Sequence, residues 1–77
     1  MMYIHCYDRR TGRGFDWQDA NYPYACAFYP PHGAQYQDMC TWVAETYEPS
    51  DYRGRIDHGE LFFDKPEHAT WFVLRWS

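Results

Sequence analysis

The sequence of 77 residues contains no long apolar run, no Cys-x-x-Cys pair and only one lysine. No stretch approaches the roughly 18 consecutive apolar residues of a transmembrane helix, so we expect no membrane partner. Cysteine is scarce and odd in number, with three residues in all, and no apolar leader follows the first methionine. These features predict neither secretion nor a disulfide framework, and we expect a protein of the reducing cytoplasm.

A strong charge of either sign is also missing. Seven basic and eleven acidic residues give a formal net charge of −4 at pH 7. The acidic residues form no run of like sign, which differs from the dense carboxylate pattern of a DNA mimic. A mildly acidic chain has little general affinity for phosphate backbones, so nucleic acid is the less favoured partner.

The sequence shows no convincing catalytic signature. The three cysteines are predicted to lie in packed strands or on a buried helix face, where a thiol is a core residue rather than a nucleophile. Asp64 and Glu67 are explained by a helix cap, and Gly12-x-Gly14 lacks the third glycine and the lysine of a phosphate loop. We therefore predict no enzymatic activity, no catalytic residue and no cofactor.

Zinc ligands are present without the spacing of a known zinc site. Cys26 and His32 could approach each other across Pro30-Pro31. His5 and Cys6 are adjacent in a predicted strand and point to opposite faces, so only one of them could join a common site. We predict no metal, and a zinc-stabilised module stays an alternative.

Aromatic residues are what the chain has in excess, with eight Tyr, five Phe and four Trp. A chain of this length forms a single domain, residues 1–77, whose one core does not need so many rings. Part of the surplus can supply the buried area that small domains otherwise gain from disulfides, metals or a homodimer. Because Tyr and Trp offer rigid contact area with a polar end, the remainder favours a protein that binds another surface.

The amino-terminal half is predicted to form strands. Residues 2–7 alternate in a β-rich composition and lead into a turn at 8–14, where glycines lie among charged residues. Phe15 and Trp17 indicate a short return strand, and a further strand at 24–29 ends at two prolines. On that strand the large-ring face is predicted to pack, and the small-residue face is left for a helix or another chain.

The carboxyl-terminal half is predicted to contain the helices. Ala34 to Glu48 carries apolar residues at the spacing of one helical face, and Pro49 stops it. Residues 50–58 are polar and predicted as turns, and Glu60 to Phe63 as a short buried strand. The positions on the inner face of the helix are Tyr36, Met39, Cys40, Val43 and Tyr47.

The segment after residue 63 begins with Asp64-Lys65-Pro66-Glu67, which has the form of a capping box at the start of a second helix. Ala69, Phe72, Val73 and Trp76 share one helical face, although a terminal strand also fits. Together these elements predict an α+β fold. It has a small, mostly antiparallel sheet of three to four strands packed on one main helix, with a second short carboxyl-terminal helix or strand.

The tail resembles the carboxyl-terminal signature of small orphan proteins of tailed bacteriophages, Asp/Glu-x-Ala-x-x-Phe-x-Leu-x-Trp. The resemblance implies a phage gene and an accessory protein that binds and inhibits a host protein or complex in the cytoplasm of an infected bacterium. Host defence such as restriction or CRISPR, transcription and division are the implied classes of target. The residues that carry it are Phe63, Asp64, Glu67, Ala69, Phe72, Leu74 and Trp76.

The candidate binding surface combines an arginine-rich loop with exposed rings. A small nucleic-acid or nucleotide-binding module, using the same arginines and base stacking, is the main alternative function. A structural phage component is a further one. The residues predicted to form the surface are Arg9, Arg10, Arg13, Tyr22, Tyr24, Tyr29, His32 and Trp42.

Overall fold

The computed structural model describes residues 2–11 and 21–77, in which four strands form one antiparallel sheet and two α-helices pack on it. The elements are β1 (Ile4–Asp8), β2 (Tyr24–Phe28), α1 (Gly33–Thr46), β3 (Tyr52–Arg55), β4 (Glu60–Phe63) and α2 (Pro66–Trp76). The spatial order is β1-β2-β4-β3. The predicted α+β fold, with one main helix and a second carboxyl-terminal helix, is confirmed.

Both helices pack on the same face of the sheet, because the large apolar side chains of β2 and β4 alternate toward that face. Cys26 pairs with Leu61 across these two central strands, and Tyr24 pairs with Phe63. The large-ring face of β2 is therefore the packed face, as predicted. The core consists of Cys26, Phe28, Met39, Val43, Tyr47, Leu61, Phe63, Ala69, Phe72 and Trp76.

Part of the segment 50–58 is a strand, so the prediction of turns throughout it is wrong. β3 pairs with β4 from Tyr52 opposite Phe63 to Arg55 opposite Glu60. It is an edge strand and its burial is low, with only Tyr52 packed against the core. Backbone hydrogen bonds to β4 hold such a strand in place, so it needs no alternating apolar pattern. That pattern is the signal by which a strand is predicted from sequence.

The carboxyl-terminal segment is a helix rather than the alternative strand, but the predicted cap at its start is wrong. Lys65 occupies the N-cap position and makes no side-chain cap hydrogen bond. Asp64 instead places Oδ1 3.3 Å from Nδ1 of His68. A capping box does form earlier in the chain, between Glu48 and Asp51, where it closes a short 3₁₀ turn.

α1 ends at Thr46, two residues before its predicted end. The predicted return strand around Phe15 and Trp17 lies outside the described residues, as does Arg13. Neither of the two described helices has the length and apolar character needed to cross a membrane.

The register of β1 and β2 brings two cysteines together. The backbone N–H of Arg9 donates to the carbonyl of Pro23 at 2.7 Å. Because hydrogen-bonded and non-hydrogen-bonded pairs alternate along an antiparallel ladder, Cys6 and Cys26 form a non-hydrogen-bonded pair, where side chains lie closest. Their Sγ atoms are 3.5 Å apart.

We expect oxidised glutathione to join Cys6 and Cys26 in an intramolecular disulfide, with release of two molecules of reduced glutathione. Mass spectrometry of the intact protein would show the loss of two hydrogen atoms, and peptide mapping would locate the bond. The Cys40→Ser variant should react in the same way, and Cys26→Ser should not. A bond that involves Cys40 would contradict this register.

Candidate functional site

The face of the sheet opposite the two helices carries alternate side chains of all four strands, and we call it the open sheet face. The pairing register arranges these side chains in rows that cross the sheet. One row contains Tyr7, Ala25, Phe62 and Arg53, and the next contains His5, Ala27, Glu60 and Arg55. Most of them are exposed, whereas Ala25 is buried and Ala27 and Phe62 are half-buried.

Two tyrosines extend the open sheet face at one end of the strands. Tyr3 and Tyr29 lie one step beyond the last pair of β1 and β2, Ile4 with Phe28, and alternation directs them to the same side as His5. Tyr3 is 81% exposed and Tyr29 is 82% exposed. With Ala27 and neighbouring residues they line an open hollow of about 790 Å³.

Stacked groups occupy the other end of the face. The rings of His5 and Tyr7 lie nearly parallel, with centroids 5.5 Å apart and an interplanar angle of 24°. The guanidinium of Arg9 lies over the ring of Phe62, 4.1 Å from its centroid. Ala25, between Tyr7 and Phe62 in the same row, is buried.

Among the described residues, the open sheet face carries more basic than acidic groups, in contrast to the chain as a whole. Arg9, Arg53 and Arg55 lie on it, and Glu60 is the only carboxylate in its two rows. Arg55 forms an exposed ion pair with Asp57 at 2.7 Å, and this pairing lowers the pKa of the carboxyl group. Rings and guanidinium groups with few Lys, Asp or Glu residues are the composition that is typical of protein–protein interfaces.

Of the predicted surface residues, Arg9 and Tyr29 both lie on the open sheet face, at opposite ends of the strands. Arg10 lies nearby but is held by the carboxylate of Asp8, with an ion pair of 2.7 Å. Hydrogen bonds from this guanidinium keep the pKa of Asp8 below its ordinary value. The Arg10 side chain also donates to the hydroxyl of Tyr24 at 3.3 Å.

Tyr22 and Tyr24 make contacts within the protein. The Tyr22 hydroxyl donates to the carbonyl of Ser50 at 2.8 Å, and the guanidinium of Arg53 lies over the Tyr22 ring. Tyr24 is half-buried on the helix side of the sheet and packs against the core. Both rings therefore support the edges of the fold more than they offer free contact area.

His32 and Trp42 lie apart from each other. His32 is exposed immediately before α1 and lines the hollow beside Tyr29. Trp42 is half-buried among Tyr47, Phe72 and Trp76. Its ring meets those of Tyr47 and Trp76 edge-on, with centroid distances of 5.5 Å and 6.2 Å. This ring flanks the core.

Sequence reasoning missed several residues of the open sheet face, and one signal could have found some of them. The alternation in residues 2–7 already places Tyr3, His5 and Tyr7 on one face. Arg53 and Arg55 were hidden because their segment was predicted as turns. Phe62 could be assigned to a face only after the pairing of β4 was known.

Among the residues that the structure describes, the side chains of the open sheet face are rings, guanidinium groups, small residues and one carboxylate, and the thiols of Cys6 and Cys26 lie on the opposite face. We compared the chain with protein-family models, curated proteins and solved structures, and none of them matches it. The function is therefore inferred from the geometry of this face.

Proposed function

We propose that this protein is a non-enzymatic binding protein that attaches to a partner protein through the open sheet face and acts by occupying a functional surface of that partner. One observation carries the proposal. Among the described residues, three of the five large hydrophobic side chains with high exposure, Tyr3, Tyr7 and Tyr29, lie on this one face. Exposed aromatic side chains that cluster on a flat surface mark interaction sites, because they bury much area at little entropic cost.

The arginines define the kind of surface that fits. Arg53 presents an exposed planar guanidinium group on this face, whereas both carboxylate oxygens of Asp57 already accept from Arg55. A guanidinium group binds carboxylates in a two-pronged geometry. The complementary partner surface has apolar pockets for tyrosine rings with acidic residues around them.

We further propose, from the resemblance of the tail, that the partner is a bacterial host protein or complex and that binding inhibits it in the cytoplasm of the infected cell. The residues that carry the resemblance have mainly a packing role here. Phe63, Ala69, Phe72 and Trp76 belong to the core. The resemblance of the tail thus supports a phage origin. In this proposal the open sheet face recognises the target.

The experiment is affinity capture of the tagged protein from nuclease-treated bacterial lysate, followed by binding measurements with the purified partner. We expect the Tyr3→Ser/Tyr29→Ser double variant to lower the affinity at least about 30-fold, as for a hot spot of about 2 kcal/mol. Leu74→Ser is the matched control, because Leu74 is 76% exposed on α2, on the helix side of the sheet.

Equal loss of affinity in the two variants would indicate a general folding defect. Equal retention of affinity would show that the two tyrosines do not contribute to binding. Either result would contradict the assignment of this face. Turnover of any substrate by the purified protein would contradict the non-enzymatic role. Circular dichroism of each variant establishes that the fold is kept.

A second candidate function is the binding of single-stranded nucleic acid. The stacked rings of His5 and Tyr7, and the guanidinium of Arg9 over Phe62, form a platform of the kind on which bases stack in sheet-based RNA-binding domains. Asp57 and Glu60 lie close to Arg55, so the described residues of the face have only a small excess of positive charge. This balance favours the protein partner over a polyphosphate backbone.

Fluorescence anisotropy with labelled single-stranded oligonucleotides at two salt concentrations separates the two functions. Nucleic-acid binding predicts an affinity that falls steeply with salt, and a shallower salt dependence in Arg9→Gln and Arg53→Gln. Protein binding predicts no measurable affinity for oligonucleotides at physiological salt.

A further inference from the structure

Two carboxylates and one histidine converge at the end of the sheet where β3 begins and β4 ends. Asp51 closes the 3₁₀ turn before β3, Asp64 directly follows β4, and His68 lies in the first turn of α2. The potential ligand atoms of these three residues lie within 4.8 Å of one another. The backbone also ties them together, since the Asp64 N–H donates to the carbonyl of Asp51 at 3.1 Å.

Two atoms of this cluster are buried without a hydrogen bond. His68 is only 7% exposed, and its Nδ1 and the Oδ1 of Asp64 have no hydrogen-bond partner among the described residues. The two atoms are 3.3 Å apart, a distance that permits charge attraction, but they are not aligned as donor and acceptor. Buried polar atoms in native proteins are normally satisfied, so these two point to a further group between them.

The surroundings hold the imidazole in place. Its ring packs against Trp71, with centroids 4.8 Å apart, and against Tyr47 at 5.3 Å. The Tyr47 hydroxyl donates to the backbone carbonyl of His68 at 2.7 Å, which fixes the first turn of α2. Asp51 is oriented as well, because its Oδ2 accepts the N–H of Glu48 at 3.0 Å.

We propose that Asp51, Asp64 and His68 bind one divalent transition-metal ion of the zinc type. An imidazole nitrogen with two carboxylate oxygens is a ligand set suited to zinc and related ions, with water completing the coordination, whereas magnesium and calcium prefer oxygen ligands alone. Two carboxylates also balance the charge of the cation. The ion ties the start of α2 to the start of β3 and the end of β4, and the site is independent of the open sheet face.

The test is titration of the chelator-treated full-length protein with Zn²⁺ by calorimetry and with Co²⁺ by absorption spectroscopy. We expect one ion per chain, Co²⁺ d–d bands that report nitrogen and oxygen ligands, and a rise in melting temperature with Zn²⁺ but not with Mg²⁺. Asp64→Asn and Asp51→Asn keep the side-chain shape, and each should weaken binding at least about tenfold. Asp57→Asn and His58→Gln are the matched controls for nearby exposed groups and should bind as the unmodified protein does.

Three results would overturn the proposal. The first is the absence of Zn²⁺ binding by the folded protein. The second is unchanged affinity in both Asp64→Asn and Asp51→Asn, which would show that the ion is held elsewhere. The third is binding that is lost in Cys6→Ser but kept in Asp64→Asn, with charge-transfer bands of a Co²⁺–thiolate bond, which would place the ion at Cys6 and Cys26.

Discussion

Replacement of Phe72 by alanine is expected to lower the free energy of unfolding by about 3–5 kcal/mol. The Phe72 side chain is fully buried at the centre of the aromatic core. Its ring centroid lies 5.2 Å from that of Phe28, 6.2 Å from that of Phe63 and 6.3 Å from that of Trp42. Removal of the ring loses the favourable free energy of its transfer from water to the core, and it leaves a cavity between α2 and the sheet. A domain of this size has a small free energy of unfolding, so this loss is a large part of it.

Urea denaturation followed by tryptophan fluorescence and circular dichroism measures this effect. Leu74→Ala is the matched control on the same helix, because Leu74 is 76% exposed. Its unfolding free energy should change by less than about 0.5 kcal/mol. A loss below about 1 kcal/mol in Phe72→Ala would contradict the position of this ring in the core.

Gly59→Ala should destabilise the protein by about 2–5 kcal/mol, because two separate costs combine there. Gly59 has φ 73°, a left-handed conformation that side chains disfavour. A Cβ atom at this position would also collide with the carbonyl oxygen of Phe28. The strands cannot simply separate, since the N–H of Phe28 donates to the carbonyl of Gly59 at 2.8 Å.

Gly33→Ala separates the two costs. Gly33 is also left-handed, with φ 61°, but a Cβ atom there would meet no atom within 4 Å apart from its chain neighbours and the adjacent helix backbone. This variant should lose only about 1–2 kcal/mol. Equal destabilisation of the two variants in thermal or urea unfolding would show that the close approach of Gly59 to β2 is not the dominant cost.

The placement of the rings separates the core of this small protein from its proposed binding surface. The core rings, such as Phe63, Phe72 and Trp76, pack on the helix side of the sheet, whereas Tyr3 and Tyr29 stay exposed on the other side. A change on the open sheet face should therefore alter binding with little effect on folding. The Tyr3→Ser/Tyr29→Ser variant depends on this separation.

Local patterns in the sequence were sufficient to identify the helices and strands that bury an apolar stripe. The spacing of Tyr36, Met39, Cys40, Val43 and Tyr47 identified α1, because a helix repeats its buried face every three to four residues. Met39, Val43 and Tyr47 are buried as predicted, whereas Tyr36 and Cys40 are only half-buried. Alternation identified the packed face of β2, with Cys26 and Phe28 directed at the helices. The α+β class follows from such local patterns, since each amphipathic element has to cover an apolar face of another.

The tertiary structure alone decided which distant residues meet. β3 is held by backbone hydrogen bonds to β4, which leave no apolar pattern in its sequence, so Arg53 could not be placed beside Phe62 in advance. Asp51 and His68 likewise come together only because the β3–β4 hairpin reverses the chain between them. The sequence by itself thus determined which elements form and which of their faces pack. The pairing of the strands decided which side chains share the open sheet face and that Asp51, Asp64 and His68 converge, because register and chain reversal depend on contacts between residues that are far apart in the chain.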